Sequence, residues 1–298
     1  MGNEIKQKSG LGTFLIDTLK GFIIGAANVI PGASGGTLAL VIGIYEKLIG
    51  ALSNIASDLK NSLKTLAPIL LGVAIAFLTL SHVITFCLEK FLFATIMLFF
   101  GAVLGGMPML AGKVKGKKVK PAYIAVAVVT FAVVIGLVFL GTGADVDIST
   151  FSIGKILLLF VAGAVAAATM VIPGVSGSAF LMTIGLYEPV MNQVKALTSS
   201  DGDKGHAIVV VLIVAVGIIA GIVGIAKLID MLLKNYETGT YWAIIGFVLS
   251  SAIVILLQNF FLGAGVAANL AGTSVLEYIA GVVLAVLGFL GAYKLGDK

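Results

Sequence analysis

Residues 26–36 read Ala26-Ala-Asn-Val-Ile-Pro-Gly-Ala-Ser-Gly-Gly36, and residues 168–178 read Ala168-Thr-Met-Val-Ile-Pro-Gly-Val-Ser-Gly-Ser178. The two stretches lie 142 positions apart, and the match continues as far as Glu46 and Glu188. As a result, 11 of the 22 positions from Gly25 to Glu46 are identical to their partners. A duplication of this length predicts a chain built from two related halves, residues 1–147 and 148–298.

The duplication extends more weakly beyond Glu46, where the offset between matching positions grows to 145. The link between the halves is then the acidic segment of residues 141–150. The residues that match at the larger offset are Gly72 with Gly217, Thr95 with Thr240, and Gly101 with Gly246.

The composition is that of a membrane protein. Of 298 residues, 59% are hydrophobic and 11% are charged, and the mean hydropathy is +1.16, outside the range of soluble domains. Apolar runs long enough to cross a bilayer recur, for example over residues 67–87, 91–112 and 121–144. These features predict an all-α polytopic membrane protein.

Each half contains a break within its apolar sequence, at Ile30-Pro31-Gly32 and at Ile172-Pro173-Gly174. Proline and glycine stop a helix, and irregular backbone survives at membrane depth only against protein or a water-filled cavity. We therefore predict that each half is a broken re-entrant helical hairpin followed by three transmembrane helices. Three crossings reverse the direction of the chain, so the halves are expected to be inverted-topology repeats.

The distribution of lysine predicts the orientation. All 19 basic residues are lysine and none is arginine. An amino terminus inside the cell places 15 of them in the cytoplasm, as the positive-inside bias requires. Both termini are then cytoplasmic, in a multi-pass protein of a bacterial inner membrane. The lysines left outside are Lys90, Lys155, Lys195 and Lys204.

Small polar residues follow each break and predict an anion site. Ser34-Gly-Gly-Thr37 and Ser176-Gly-Ser178 begin the returning helices, where free amide groups, hydroxyls and the helix dipole favour a negative group. The alternative is that these residues only allow close packing, with the serines as helix N-caps. The candidate phosphate-binding residues are Asn28, Gly32, Ser34, Gly35, Gly36, Thr37, Gly174, Ser176, Gly177 and Ser178.

Four ionisable residues are candidates for cationic help or ion coupling. His82 and Lys227 match at the offset of 145, and Glu46 and Glu188 match at 142. An ionisable group inside a span is costly and is therefore a functional candidate. The alternative is that these side chains reach the membrane interface and do nothing more.

A different chemistry also fits the first break. Gly32-Ala-Ser34-Gly-Gly36 satisfies the G-x-S-x-G pattern of serine hydrolases, with His82 as the base, which leaves an intramembrane hydrolase as an alternative. The second copy would have Lys227 in place of the histidine, so two equivalent dyads are excluded. A transporter of a small soluble anion is the other alternative. We predict no catalytic residues, metal, cofactor or nucleic-acid partner, and the sequence leaves the oligomeric state open.

The paired motifs, each followed by Gly-x-Tyr-Glu, resemble those of bacterial polyprenyl-phosphate transporters, once catalogued as a membrane domain of unknown function. The resemblance covers nearly the whole chain. It implies an undecaprenyl-phosphate flippase that returns this lipid carrier from the outer to the inner leaflet for cell-wall polymer synthesis. It also implies that the partners are the polyprenyl phosphate, membrane lipids and a coupling ion, either a proton or sodium.

Overall fold

The computed structural model describes residues 10–28, 34–141, 143–197, 203–262 and 273–296, without the side chains of Ser81, His82, Thr85 and Ala179. These residues form helices and contain no strand, which confirms the predicted all-α class. The helices are α1 (Leu11–Asn28), α2 (Gly35–Val41), α3 (Tyr45–Ser53), α4 (Leu59–Lys90), α5 (Leu92–Gly105), α6 (Met107–Val114), α7 (Pro121–Phe139), α8 (Ile153–Val171), α9 (Gly177–Thr183), α10 (Tyr187–Ala196), α11 (Lys204–Asn235), α12 (Glu237–Phe260) and α13 (Val275–Gly296).

The described helices include seven that are long and apolar enough to cross a bilayer, so the chain is a multi-pass membrane protein. Three of these spans follow α3 and three follow α10, in agreement with the prediction. The seventh is α8, the first arm of the second hairpin. The spans are Leu59–Leu80, Leu92–Val114, Pro121–Phe139, Ile153–Val171, Lys204–Asn235, Glu237–Phe260 and Val275–Gly296.

The order and length of the helices recur along the chain. Helices α2 and α9 have seven residues each and begin 142 positions apart, and α4 and α11 have 32 residues each and begin 145 positions apart. The turns after α2 and α9 also match, because Gly43 and Gly185 both have a φ of 69°. A positive φ is accessible to glycine at little cost, and it ends the short helix at the same place in both copies.

The matches at the offset of 145 also have the same surroundings. Thr95 donates its hydroxyl to the carbonyl oxygens four and eight residues earlier, at 2.8 and 3.2 Å, and Thr240 does the same at 3.0 Å to both. Each threonine bridges the junction of two long helices. Likewise a Cβ at Gly72 would lie 1.9 Å from the Thr18 carbonyl oxygen, and one at Gly217 would lie 2.2 Å from that of Phe160.

The returning arm of the first hairpin differs from the single apolar arm that the sequence suggested. It consists of two short helices, α2 and α3, which meet at an angle of 118°. The turn at Gly43 produces this bend, because its positive φ redirects the chain. Helix α3 then packs against α4 and also against α11 of the second half.

The long helices form four closely packed pairs, and two of these pairs join the halves. Helix α1 packs on α4 and α8 packs on α11, whereas α5 packs on α13 and α7 packs on α12. Glycines allow the last two contacts, since a Cβ at Gly101 would lie 2.0 Å from the Ala285 carbonyl oxygen and one at Gly246 would lie 2.2 Å from that of Ala127. The final helix of each half is therefore exchanged onto the other half.

The segment between the halves carries an ordered ion pair. Hydrogen bonds from Ser149, together with the Lys155 ammonium 3.2 Å away, lower the pKa of Asp147 to about 2. Ser152 caps α8 by accepting a hydrogen bond from the Lys155 amide at 3.2 Å.

Candidate functional site

The first break is tied together by Asn28, the last residue of α1. Its side-chain oxygen accepts a hydrogen bond from the Gly35 amide at 3.1 Å, across residues 29–33, which lie outside the described part of the chain together with the predicted site residue Gly32. A Cβ at Gly35 would lie 2.4 Å from the Asn28 amide nitrogen, so only glycine fits. The second half has Met170 in place of Asn28, 56% exposed, and lacks this tie.

Two hydroxyls in the first motif are buried without a hydrogen-bond partner among the described residues. Ser34 is 4% exposed and Thr37 is fully buried, and neither Ser34 Oγ nor Thr37 Oγ1 is paired there. Ser34 stands at the N-cap position of α2 with extended backbone, yet its side chain caps no amide. A buried hydroxyl without a partner costs about 1–3 kcal/mol. Both oxygens are therefore available to a bound polar group.

The second motif is built differently. Ser176 and Ser178 place their hydroxyl oxygens 3.0 Å apart, and Ser176 is half-buried. Gly174 has a φ of 88°, and a Cβ there would lie 2.1 Å from the Phe247 carbonyl oxygen in α12. Gly177 lies as close to α8, since a Cβ at this position would lie 2.3 Å from the Ala166 carbonyl oxygen. The glycines let this break lie directly against two long helices.

The first hairpin packs on the break of the second. A Cβ at Gly36 would lie 3.1 Å from the Val171 carbonyl oxygen and 3.5 Å from the Pro173 Cα. The buried Tyr45 hydroxyl donates to the same Val171 carbonyl at 3.1 Å. This bond satisfies a carbonyl that the end of α8 leaves free. The residues that follow one break are thus in contact with the residues that precede the other.

A cavity of about 350 Å³ lies beside the second motif. Helices α7, α9 and α12 enclose it, and its walls are mostly apolar with three polar side chains, Ser176, Thr183 and Gln258. Helix α7 is the most exposed of its walls, with Val134 as its one buried residue. An apolar chamber with a few polar side chains in its wall suits an amphipathic ligand.

The four ionisable candidates have different surroundings in the structure. The Glu46 carboxylate accepts a hydrogen bond from the Lys113 ammonium at 2.7 Å and another from the Tyr241 hydroxyl. By contrast, Glu188 and Lys227 are exposed and form no ion pair within the described part of the chain. The His82 side chain lies outside the described atoms, so the Ser34 and His82 dyad stays a prediction.

Sequence reasoning missed several polar residues. Lys113, Tyr241 and Gln258 were not singled out, although Lys113 and Gln258 match at the same offset of 145 that pairs Thr95 with Thr240. Asp17 was also missed as a partner: it is 7% exposed within α1, and Lys47 of α3 lies 2.5 Å from its carboxylate. A single carboxylate in an apolar arm could have indicated this ion pair.

Known proteins resemble this chain along most of its length. A polyprenyl-phosphate transporter of Staphylococcus aureus is 30% identical over 286 residues, which cover 94% of this chain and 95% of that protein. A polyprenyl-phosphate transporter of Vibrio cholerae is 26% identical over 252 residues, 80% of this chain and 76% of that protein. No solved structure matches the chain significantly. Residues 24–267, which contain both motifs and six of the seven spans, match the VCA0040-like, undecaprenyl phosphate translocase-like family, and the chain therefore belongs to that family.

Proposed function

We propose that this protein transports a polyprenyl phosphate, undecaprenyl phosphate in the cell, from the outer to the inner leaflet of the cytoplasmic membrane. The carrier lipid is then available again for cell-wall polymer synthesis. The names of the two relatives support the class of substrate. The observation in this chain that carries the proposal is the pair of buried hydroxyls, Ser34 and Thr37, without partners among the described residues.

The two hydroxyls suit a phosphate headgroup because phosphate oxygens accept several hydrogen bonds. Asn28 and the Gly35 amide lie beside them, and the break of the second hairpin packs against Gly36. Since the chain has no arginine, hydroxyls, amides and lysine are the donors available to an anion. The predicted phosphate-binding residues of both motifs belong to this proposed site.

The walls of the 350 Å³ cavity favour a lipid over a soluble anion. Most of its lining is apolar, and the exposed helix α7 forms one side of it. A prenyl chain could leave the cavity past α7 into the bilayer while the phosphate stays at Ser176. A small soluble anion has no use for this apolar wall.

The proposed architecture is a pair of inverted repeats, each a re-entrant hairpin with three spans, and both termini are cytoplasmic. The recurrence of helix lengths, of the glycine turns and of the Thr95 and Thr240 bridges supports the duplication. If each hairpin returns to the side from which it starts, three crossings remain in each half, and the halves are inverted. A proton or a sodium ion is the proposed coupling ion, and Glu46, Glu188, His82 and Lys227 are the candidates to carry or balance it.

The test is translocation by the purified protein in liposomes. Fluorescent undecaprenyl phosphate in the outer leaflet is quenched by a membrane-impermeant reagent, and the protein is expected to move it to the protected leaflet faster than empty liposomes do. The non-phosphorylated prenol is the matched control, and it should not be moved. Uptake of inorganic phosphate into the liposomes without any lipid movement would instead support the soluble-anion transporter.

A further inference from the structure

Equivalent residues of the two halves lie near opposite ends of α12, and their surroundings are closed at one end and open at the other. Near its start, Tyr241 contacts Glu46, and near its end, Gln258 lines the 350 Å³ cavity. These positions are 17 residues apart, or roughly 25 Å along a helix. The offsets of 145 and 142 place Gln258 on Lys113, Leu262 on Lys117, Met182 on Leu40 and Thr183 on Val41.

The end near Tyr241 is closed by a group of polar contacts that we name the latch. Lys113 lies 2.7 Å from Glu46 and 5.4 Å from the centre of the Tyr241 ring, and Tyr241 also donates to Glu46. Lys117 forms a second ion pair, 2.7 Å from Glu237 at the start of α12. The latch joins the first hairpin and the α6 loop to a helix of the second half.

The space behind the latch is filled. Leu40 is 2% exposed and Val41 is fully buried. A Cβ at Gly106 would lie 2.2 Å from Val41 Cγ2, and one at Gly296 would lie 2.9 Å from the Val41 carbonyl oxygen. Helices α5 and α6 and the end of α13 therefore pack directly on α2.

The equivalent place in the second half is open. Met182 is 38% exposed where Leu40 is 2% exposed, and Thr183 lines the cavity where Val41 fills the space. Gln258 and Leu262 also line the cavity, at the positions of the two latch lysines. Neither Gln258 nor Glu188, the equivalent of Glu46, has a polar partner among the described side chains.

Two halves of the same plan, one closed and one open, describe a transporter that is open at one end only. Because the two halves have the same plan, each half can also adopt the conformation of the other. When the closed half opens and the open half closes, the protein is open at its other end. The lysines that break and re-form contacts in this exchange lie at the closed end, where α12 begins.

We propose that the cavity beside the second motif admits the phosphate headgroup of the lipid, with Gln258 as a further contact, while the latch seals the equivalent chamber beside the first motif. During transport the two ends change together: the latch opens while α9 closes on α7 and α12. The identity of the ligand in this inference rests on the proposed function, whereas the exchange of open and closed ends does not.

Cysteine accessibility tests the exchange without any transport measurement. In a Cys87→Ser background, Leu40→Cys and Met182→Cys report on equivalent positions, and Val41→Cys and Thr183→Cys form a second pair. Purified protein in nanodiscs exposes both faces to a water-soluble maleimide. With the latch intact, we expect the second-half cysteine of each pair to react about tenfold faster than its first-half partner, in line with their burial.

The substitution Lys113→Gln replaces the latch lysine by glutamine, the residue at the equivalent position, 258, of the open half. We expect it to raise the labelling rate at Leu40→Cys about two- to fivefold and to lower that at Met182→Cys, since the ion pair is half-exposed and each end competes with the other. Lys234→Gln is the matched control. It removes an exposed lysine paired with Asp230 within α11 and should change neither rate.

The mirror variant Gln258→Lys places a lysine at the second-half position equivalent to Lys113, and Glu188 is the second-half equivalent of Glu46. It should slow labelling at Met182→Cys, and Glu188→Gln in the same protein should restore it. If Lys113→Gln and Gln258→Lys both leave all four reporter rates unchanged in folded protein, the asymmetry is fixed and the proposed exchange is wrong.

A ligand arm separates this inference from the proposed function. Undecaprenyl phosphate in the nanodisc should protect Met182→Cys and Gln258→Cys from labelling, and the prenol should not. If neither lipid protects these cysteines but the latch variants still change the labelling rates, the proposed binding of a polyprenyl phosphate in the cavity is wrong and the proposed exchange stands. Protection with no latch response would leave the binding site and overturn the exchange.

Discussion

At the scale of single residues, Ser34 separates a binding role from a structural one. A serine at an N-cap position stabilises a helix by about 1 kcal/mol when its side chain accepts an amide hydrogen bond. Ser34 makes no such bond, and its hydroxyl is buried without a partner in the described structure. Loss of this hydroxyl should therefore affect the ligand and not the fold.

We predict that Ser34→Ala leaves the unfolding temperature of the purified protein unchanged or slightly higher, while the apparent affinity for undecaprenyl phosphate falls about 10- to 100-fold. That range corresponds to one hydrogen bond to a charged group, about 1.5–3 kcal/mol. Ser176→Ala should weaken transport as well, but with some loss of stability, because Ser176 is hydrogen-bonded to Ser178.

Thermal unfolding and liposome translocation, measured on the same preparations, check this pair. Ser53→Ala is the control, since Ser53 is also buried, on α3, and its hydroxyl has local partners: it donates to the Gly50 carbonyl at 3.1 Å and accepts from the Asn54 side-chain amide at 3.3 Å. A Ser34→Ala protein that loses stability but keeps its transport rate would show that the serine serves packing.

The sequence allowed the residues of the two motifs to be found, but not their partners. Asn28, Ser34 and Ser176 stand inside a repeated pattern, which any search of the chain against itself reveals. The partners of Glu46 lie 67 and 195 positions away, on helices whose packing the sequence does not specify. Hydrophobic periodicity indicates that a helix is buried, without indicating which helix it meets.

At the scale of helices, the close contacts depend on glycine. Between apolar helices in a bilayer, the hydrophobic effect contributes little, so packing of backbone against backbone holds the pairs together. Helices α5 and α13 meet at Gly101 and Gly105, and a Cβ at Gly105 would lie 2.3 Å from the Phe289 carbonyl oxygen. Gly101 was visible in the sequence as a matched glycine, but Gly105 was not, since Ser250 is its equivalent, and the partner helix was not visible for either.

Gly101→Val is expected to separate α5 from α13, because the new side chain would overlap the Ala285 backbone. Overpacking of this kind costs about 1–3 kcal/mol, and backbone cannot move aside as a side chain can. Yield and unfolding temperature in detergent measure the effect. Gly136→Val on α7 is the control, since a Cβ there meets nothing within 4 Å, and equal behaviour of the two variants would contradict the packing.

At the scale of the whole molecule, the distribution of lysine predicts the orientation. The latch lies beside the lysine-rich loop after α6, and the cavity lies beside Gly141 and Leu262 at the opposite ends of the helices. If the loop is cytoplasmic, as the positive-inside bias predicts, this structure is open to the outside. The cavity then faces the leaflet from which the lipid is to be collected.

Impermeant labelling of whole cells checks this orientation. In a Cys87→Ser background, Asp145→Cys should be labelled from outside and Lys118→Cys, in the same loop as the latch lysines but with its side chain exposed, should be labelled only after the membrane is permeabilised. Both positions are outside the spans, so the substitutions should not disturb the helices. The opposite pattern would invert the topology and turn the open cavity toward the cytoplasm.

The all-helical class and the presence of several membrane spans could be predicted from the chain, because both follow from its composition, and the duplication was found there as repeated residues. The exchange of α7 and α13 between the halves could not. Either pairing buries the same glycines against the same kind of apolar helix, so the pattern of residues is equal for both.

The exchange of α13 onto α5 also has a consequence for biosynthesis. Helix α5 ends at Gly105 and its partner begins at Val275, so 169 residues are synthesised between them. At about 5–20 residues per second, α5 waits in the membrane for roughly ten to thirty seconds with its glycine face unpaired. During that interval insertases or neighbouring lipids must cover it. A nonsense mutation before Val275 therefore yields no half-active protein, but an orphaned helix for the membrane proteases to remove.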